Sequence, residues 1–111
     1  MQLTQTQIST IARWAESKSW VFEIRLFGSR ARGDAREDSD IDLAVTLLSA
    51  KPGSALGTYF ALGDDWQREL AALLGTHVSL EWYPPDSPET LAALNREAIV
   101  IWTRPVEKPV V

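Results

Sequence analysis

Apolar residues return every third or fourth position after Thr4, at Ile8, Ile11, Ala12 and Ala15, which predicts a first helix with Thr4 as its cap. The rhythm then shortens to two. From Trp20 to Phe27, Ile24 and Leu26 alternate with Glu23 and Arg25, a strand that Gly28 ends. A short polar turn with several charges covers Ser29 to Ser39, and Asp40 to Leu48 alternates again, apolar at Ile41, Leu43, Val45 and Leu47. Lys51-Pro52-Gly53-Ser54 marks a loop. Helical spacing resumes from about Thr58 to Leu74, with Tyr59, Leu62, Trp66, Leu70 and Leu73 as the expected buried stripe and Gly75 as the stop. Gly63 within it costs roughly 1 kcal/mol against alanine. Val78, Leu80 and Trp82 form a third strand, closed by Pro84-Pro85. Ser87 caps a short helix that starts at Pro88, and Ala98 to Trp102 makes a last short strand. Helices and strands interleave, so the expected class is α+β, a mixed β-sheet flanked by helices. Residues 2–103 are expected to form one domain, and 104–111, with Pro105 and Pro109, an extended or mobile tail.

Composition narrows the possibilities. The 111 residues suit a single domain, and 45% hydrophobic residues suffice for its core. With no cysteine, a disulfide scaffold, a thiolate metal site and a cysteine nucleophile are excluded, and a reducing cytoplasm fits. The polar start from Met1 to Gln7 does not resemble a signal peptide, and no apolar run reaches the ~18 residues of a membrane span. A net charge of −4 without a basic stripe argues against direct nucleic-acid binding, but not against one nucleotide held through metal.

The candidate chemistry lies in Leu26-Phe27-Gly28-Ser29-Arg30-Ala31-Arg32-Gly33-Asp34 and Asp38-Ser39-Asp40-Ile41-Asp42-Leu43. Strand residues two apart face the same way, so Asp40 and Asp42 point together, about 6–7 Å apart along the backbone. Two such charges repel unless solvated or bridged by a cation. Mg²⁺ suits them, because it takes oxygen ligands, commonly one or two carboxylates with phosphate oxygens and water. Gly28 lets the backbone approach a phosphate closely, and Ser29 adds a hydroxyl and an N–H that opens a helical turn toward anions. Arg30 and Arg32 either contact phosphate or the acceptor, or stay on the surface, paired with Asp34, Glu37 or Asp38. The only histidine, His77, cannot make a histidine zinc site by itself and is expected at the rim of the site. Of five tryptophans, Trp66 and Trp82 fit core stripes; any of the five could mark a protein interface instead.

The run Gly28-Ser29-Arg30-Ala31-Arg32-Gly33, followed by Ser39-Asp40-Ile41-Asp42-Leu43, resembles the signature of the DNA polymerase β-like nucleotidyltransferases, and within them the minimal nucleotidyltransferases, or MNT proteins. The resemblance implies the small nucleotidyltransferase fold and transfer of a nucleotide, AMP from ATP, to a protein hydroxyl. It implies Gly28, Ser29 and Arg30 at the triphosphate, and Asp40 and Asp42 on Mg²⁺, with two ions expected. It also implies an antitoxin role beside a helical HEPN-like toxin, and a possible oligomer. One departure stands out. Active relatives carry a third carboxylate on the strand after the second helix, where this chain has Ser79 in Val78-Ser79-Leu80-Glu81. Glu81, two residues on and hence on the same face, is the candidate replacement as base or metal ligand. If it does not serve, the chain is a nucleotidyltransferase-fold module that neutralises its partner by binding alone. A small-molecule acceptor fits less well, since enzymes of that kind carry a further helical region.

Overall fold

The computed structural model describes residues 1–47, 54–83 and 88–105, the side chains of 54–61, 90, 93 and 94 excepted. The first helix, α1 (Gln5–Ser17), is started by a reciprocal cap: Gln7 N–H donates to Thr4 Oγ1 at 3.1 Å and Thr4 N–H to Gln7 Oε1 at 2.9 Å. Two orphan donors of the first turn are thereby satisfied. Ile11, Trp14 and Ala15 are its buried residues; Ile8 and Ala12 sit at the margin. β1 (Val21–Phe27) follows, then one helical turn, α2 (Ser29–Arg32), then β2 (Ile41–Leu47). α3 (Ser54–Leu74), β3 (Val78–Trp82), α4 (Pro88–Glu97) and β4 (Ile99–Thr103) complete the order. The cap expected at Ser87 and most of the loop at 51–54 lie outside the described residues.

The four strands form one mixed sheet in the order β3-β2-β1-β4. β1 lies antiparallel to both β2 and β4, whereas β2 and β3, joined across α3, are parallel. That parallel pair needs a long crossover, which is what a helix between two strands supplies. The expectation of a mixed sheet flanked by helices therefore holds, and the strand order adds what periodicity does not contain.

Ile24, Leu26, Ile41, Leu43, Val45, Val78 and Leu80 project from one sheet face into a core closed by Ile11 and Trp14 of α1 and by Trp66 and Leu70 of α3. The Trp14 and Trp66 rings meet edge to face, centroids 5.8 Å apart at 84°, a geometry the ring quadrupoles favour. β3 is an edge strand, and Gln67 Oε1 of α3 covers part of it by accepting the Leu80 N–H at 2.9 Å.

Two expectations are corrected here. α3 begins at Ser54 rather than near Thr58, and its buried face runs through Gly63, Trp66, Leu70 and partly Leu74. Leu62 and Leu73 face outward, Leu73 at 58% exposure, while the side chain of Tyr59 lies outside the described residues. Gly63 is thus part of the packed face. Arg104, expected to open a loose tail, is tied down: its Nε donates to Val21 O, and its Nη2 to Ala15 O and Lys18 O. It satisfies a carbonyl near the end of α1 with positive charge, which the helix dipole favours. Residues 106–111 lie outside the described residues.

Candidate active site

The face of the sheet opposite the core carries the polar residues of the central strands. Asp42 and Thr46 of β2, both half-buried, lie on that face with the small, buried Ala44 between them, and alternate with the buried Ile41, Leu43 and Val45. Partners in register share a face, so two rows can be followed across the sheet. In one, Phe27 of β1, Asp42 of β2 and Ser79 of β3 stand side by side; in the next are Arg25, Ala44 and Glu81. Ser79 is therefore the direct neighbour of Asp42, and Glu81 lies one row farther along.

Gly28 ends β1 beside Asp42. Its φ of 75° lies in the left-handed region, and a Cβ placed there would collide with the Asp42 carboxylate, Oδ2 first. The sequence needs glycine here for two reasons, conformation and space. α2 begins at the next residue, and Gly28, having no side chain, offers no cap to it. The leading N–H groups of any helix lack intrahelical acceptors. Those of α2 thus start from the residue pressed against Asp42. Acidic and anion-seeking groups meet at one point, a combination a phosphate–cation pair would satisfy.

Burial pushes the Asp42 carboxyl above its ordinary value, and the negative charges of Asp40 and Glu81 push it further; Arg32 and His77 oppose them. Desolvation and like charge both disfavour the ionised form, which a divalent cation would reverse. Asp40 precedes β2, 55% exposed, with Oδ2 3.2 Å from His77 Nδ1. His77 thus stands at the rim, where its carbonyl also accepts the Ile41 N–H at 3.0 Å and starts the parallel pairing. Among the described residues, no three Asp, Glu or His side chains converge tightly enough to hold an ion by themselves. A cation here would complete its shell with phosphate oxygens and water, as Mg²⁺ habitually does.

The two arginines of the turn part ways. Arg32 stays on the surface, with Nε to Asp34 at 3.3 Å and Nη1 to Glu97 of α4 at 3.0 Å. Arg30 is neither on the surface nor directed at a phosphate. It is 8% exposed, and its guanidinium donates to the carbonyls of Gln2, Glu37 and Ser39. Its donors are spent on the loop, which corrects both its placement among triphosphate contacts and its placement on the surface. Arg25, which periodicity marks only as a polar strand position, lies over the Tyr83 ring, 4.4 Å from the centroid, while its Nε donates to Glu23 at 2.8 Å.

The family model described as "nucleotidyltransferase domain" matches residues 7–86. No curated protein sequence is significantly similar. Among solved structures, a chain of a toxin–antitoxin complex with AMP-PNP superposes with a TM-score of 0.66 at 21% identity, covering 87% of this chain and 73% of its own. A chain of the tri-AMPylated Shewanella oneidensis HEPN toxin in complex with its MNT antitoxin gives 0.63 at 19% identity, over 92% and 74%. A protein provisionally described as a minimal nucleotidyltransferase gives 0.60 at 29% identity, over 84% and 86%. No helix among the described residues is long and apolar enough to cross a membrane.

Proposed function

The chain belongs to the nucleotidyltransferase domain family, and from that premise we propose that it transfers AMP from ATP to a hydroxyl on a helical HEPN-like partner protein. In this role it acts as the antitoxin of a toxin–antitoxin pair in the cytoplasm. The observation that carries the proposal is the close fit of Gly28 against the Asp42 carboxylate, which leaves no room for a Cβ. It sets an uncapped helical turn beside a carboxylate whose ionisation is disfavoured in the protein alone. The superposition with toxin–antitoxin chains, one of them with AMP-PNP, supports the partner and the nucleotide.

In the reaction, the acceptor hydroxyl oxygen forms a bond to the α-phosphorus, the bond to pyrophosphate breaks, and the hydroxyl proton is released. Gly28 and Ser29 bind the triphosphate, with the turn's N–H groups directed at its oxygens. Asp40 and Asp42 hold Mg²⁺, two ions in the full assembly, which supply charge neutralisation and Lewis-acid activation when bound. Glu81 stands one row from Asp42 on the same sheet face, and we assign it the released proton. The chain's own contribution is positioning and electrostatic stabilisation.

The test mixes the full chain with the helical protein encoded beside it, ATP and Mg²⁺, and weighs the partner intact. An AMP-sized gain that requires Asp42 supports transfer; an unchanged partner mass rejects it. Neutralisation by contact is favoured by one observation, the serine directly beside Asp42. The folded Asp40→Ala, Asp42→Ala double variant separates the two: contact predicts retained neutralisation, transfer predicts its loss.

A further inference from the structure

The segment ahead of α1 and the turn after β1 are far apart in sequence yet locked together. Gln2 N–H donates to Arg30 O at 2.8 Å, and Arg30 Nη1 donates back to Gln2 O at 3.0 Å. The Gln2 side chain grips Ala35 from both sides, accepting its N–H at 2.6 Å and donating to its carbonyl at 3.1 Å. From the same buried guanidinium, Nη2 reaches Glu37 O at 3.2 Å, and Nη2 and Nε converge on Ser39 O at 2.8 and 3.2 Å. Ser39 closes the turn itself: its Oγ accepts the Arg36 N–H at 2.8 Å, and its own N–H donates to Arg36 O at 3.0 Å.

Arg30 thus begins one residue after Ser29 and ends on the carbonyl one residue before Asp40. We propose that Arg30 and Gln2 are positioning residues: together they brace the turn so that the triphosphate anchor at Gly28-Ser29 and the metal ligand Asp40 keep a fixed separation. A guanidinium is suited to this, because its planar fork satisfies several carbonyls at set angles where a lysine would satisfy one. Burial makes the arrangement stringent for the guanidinium itself, which is 8% exposed: a donor there that loses its carbonyl has little water to replace it. Without the brace, the turn would be held between its ends chiefly by the exposed Arg32–Glu97 pair, and Asp40, itself exposed and preceding β2, would lose its reference to Ser29.

The inference rests on the proposed transfer reaction for its catalytic consequence, but not for its structural one. The test compares the wild type with Gln2→Ala, Arg30→Lys and Arg30→Ala, each as the full chain with the encoded partner and ATP. Two readouts are taken: kcat and KM for ATP, and amide hydrogen exchange along the chain. Gln2 is exposed, so Gln2→Ala keeps the test informative if an Arg30 variant does not fold. Misplacing a reacting or metal-holding group by about 1 Å costs on the order of 10²-fold. The expected result is a roughly 10- to 100-fold loss of kcat with KM for ATP changed about threefold or less, partial recovery from Arg30→Ala to Arg30→Lys, and faster exchange confined to residues 29–41. The brace is overturned if kcat is unchanged, or if exchange accelerates equally in the core of β1 and β2, the mark of general destabilisation. Should the wild type itself neither bind nor transfer nucleotide, the proposed reaction falls, and the exchange pattern alone decides the brace.

Discussion

Neutralising Asp42 should strengthen the metal-free protein while destroying its function. Its carboxyl is half-buried beside two other acids, which raises its folded pKa above the ordinary 3.8. A carboxyl raised on folding binds more protons in the native than in the unfolded state between those two values, so stability falls as pH rises through that window and the cost persists above it. At neutral pH, Asp42→Asn removes that cost in a nearly isosteric side chain. Strand geometry puts Asp40 and Asp42 about 6–7 Å apart, where two unit charges repel by ~0.6 kcal/mol in water and ~2.6 kcal/mol at an effective dielectric of 20. Asp40 is 55% exposed, which favours the lower end, about 1 kcal/mol, or about 4 °C in Tm for a domain of this size. The assay is thermal unfolding at pH 7 with chelator, then with Mg²⁺ and a nonhydrolysable ATP analogue at saturation. Ligand at 100 times Kd adds about 2.7 kcal/mol to whichever protein binds it. The order should therefore invert: the variant melts higher without ligand, the wild type higher with it. A variant that is less stable in chelator would refute the view of Asp42 as a strained ligand position.

Other perturbations probe separate links. Gly28→Ala should abolish binding of the Mg²⁺–nucleotide complex and destabilise the fold by about 1–3 kcal/mol, read by denaturant unfolding, because the left-handed φ and the Asp42 contact both reject a Cβ. Glu81→Gln should lower kcat of transfer by roughly 10²-fold while leaving KM for ATP nearly unchanged, as loss of a proton acceptor does; an unaltered kcat would remove Glu81 from the chemistry. Leu70→Ala, at a fully buried core position between helix and sheet, should cost about 2–5 kcal/mol in chemical denaturation, with the residual folded fraction still binding nucleotide.

The central strands were legible because alternation and burial coincide there: Ile41, Leu43 and Val45 face the core and Asp42 faces away. The Gly28-Ser29 and Asp-x-Asp motifs stood out in the sequence, but that Gly28 lies against Asp42 depends on the β1–β2 register, and Asp40 precedes β2, beside His77. α3 was harder. Of the expected stripe, Trp66 and Leu70 are buried, but Leu62 and Leu73 at its margins face outward, because helical spacing leaves the rotation of the helix open and packing such as the Trp14–Trp66 contact fixes it. Arg30 could not be read at all. An arginine among acids in a polar turn looks solvated, and only tertiary closure by Gln2, 28 residues earlier, shows where its donors go. The parallel register that seats Ser79 beside Asp42 is likewise a property of strand order, which periodicity does not encode.

The central claim is that one site at the exit of β1 takes a triphosphate and a divalent cation together. Calorimetric titration of a nonhydrolysable ATP analogue, with Mg²⁺ and with chelator, into the wild type and the Asp40→Asn, Asp42→Asn variant measures it most directly. The account predicts tight binding only for the wild type with Mg²⁺. Equal affinity in all four titrations would contradict it.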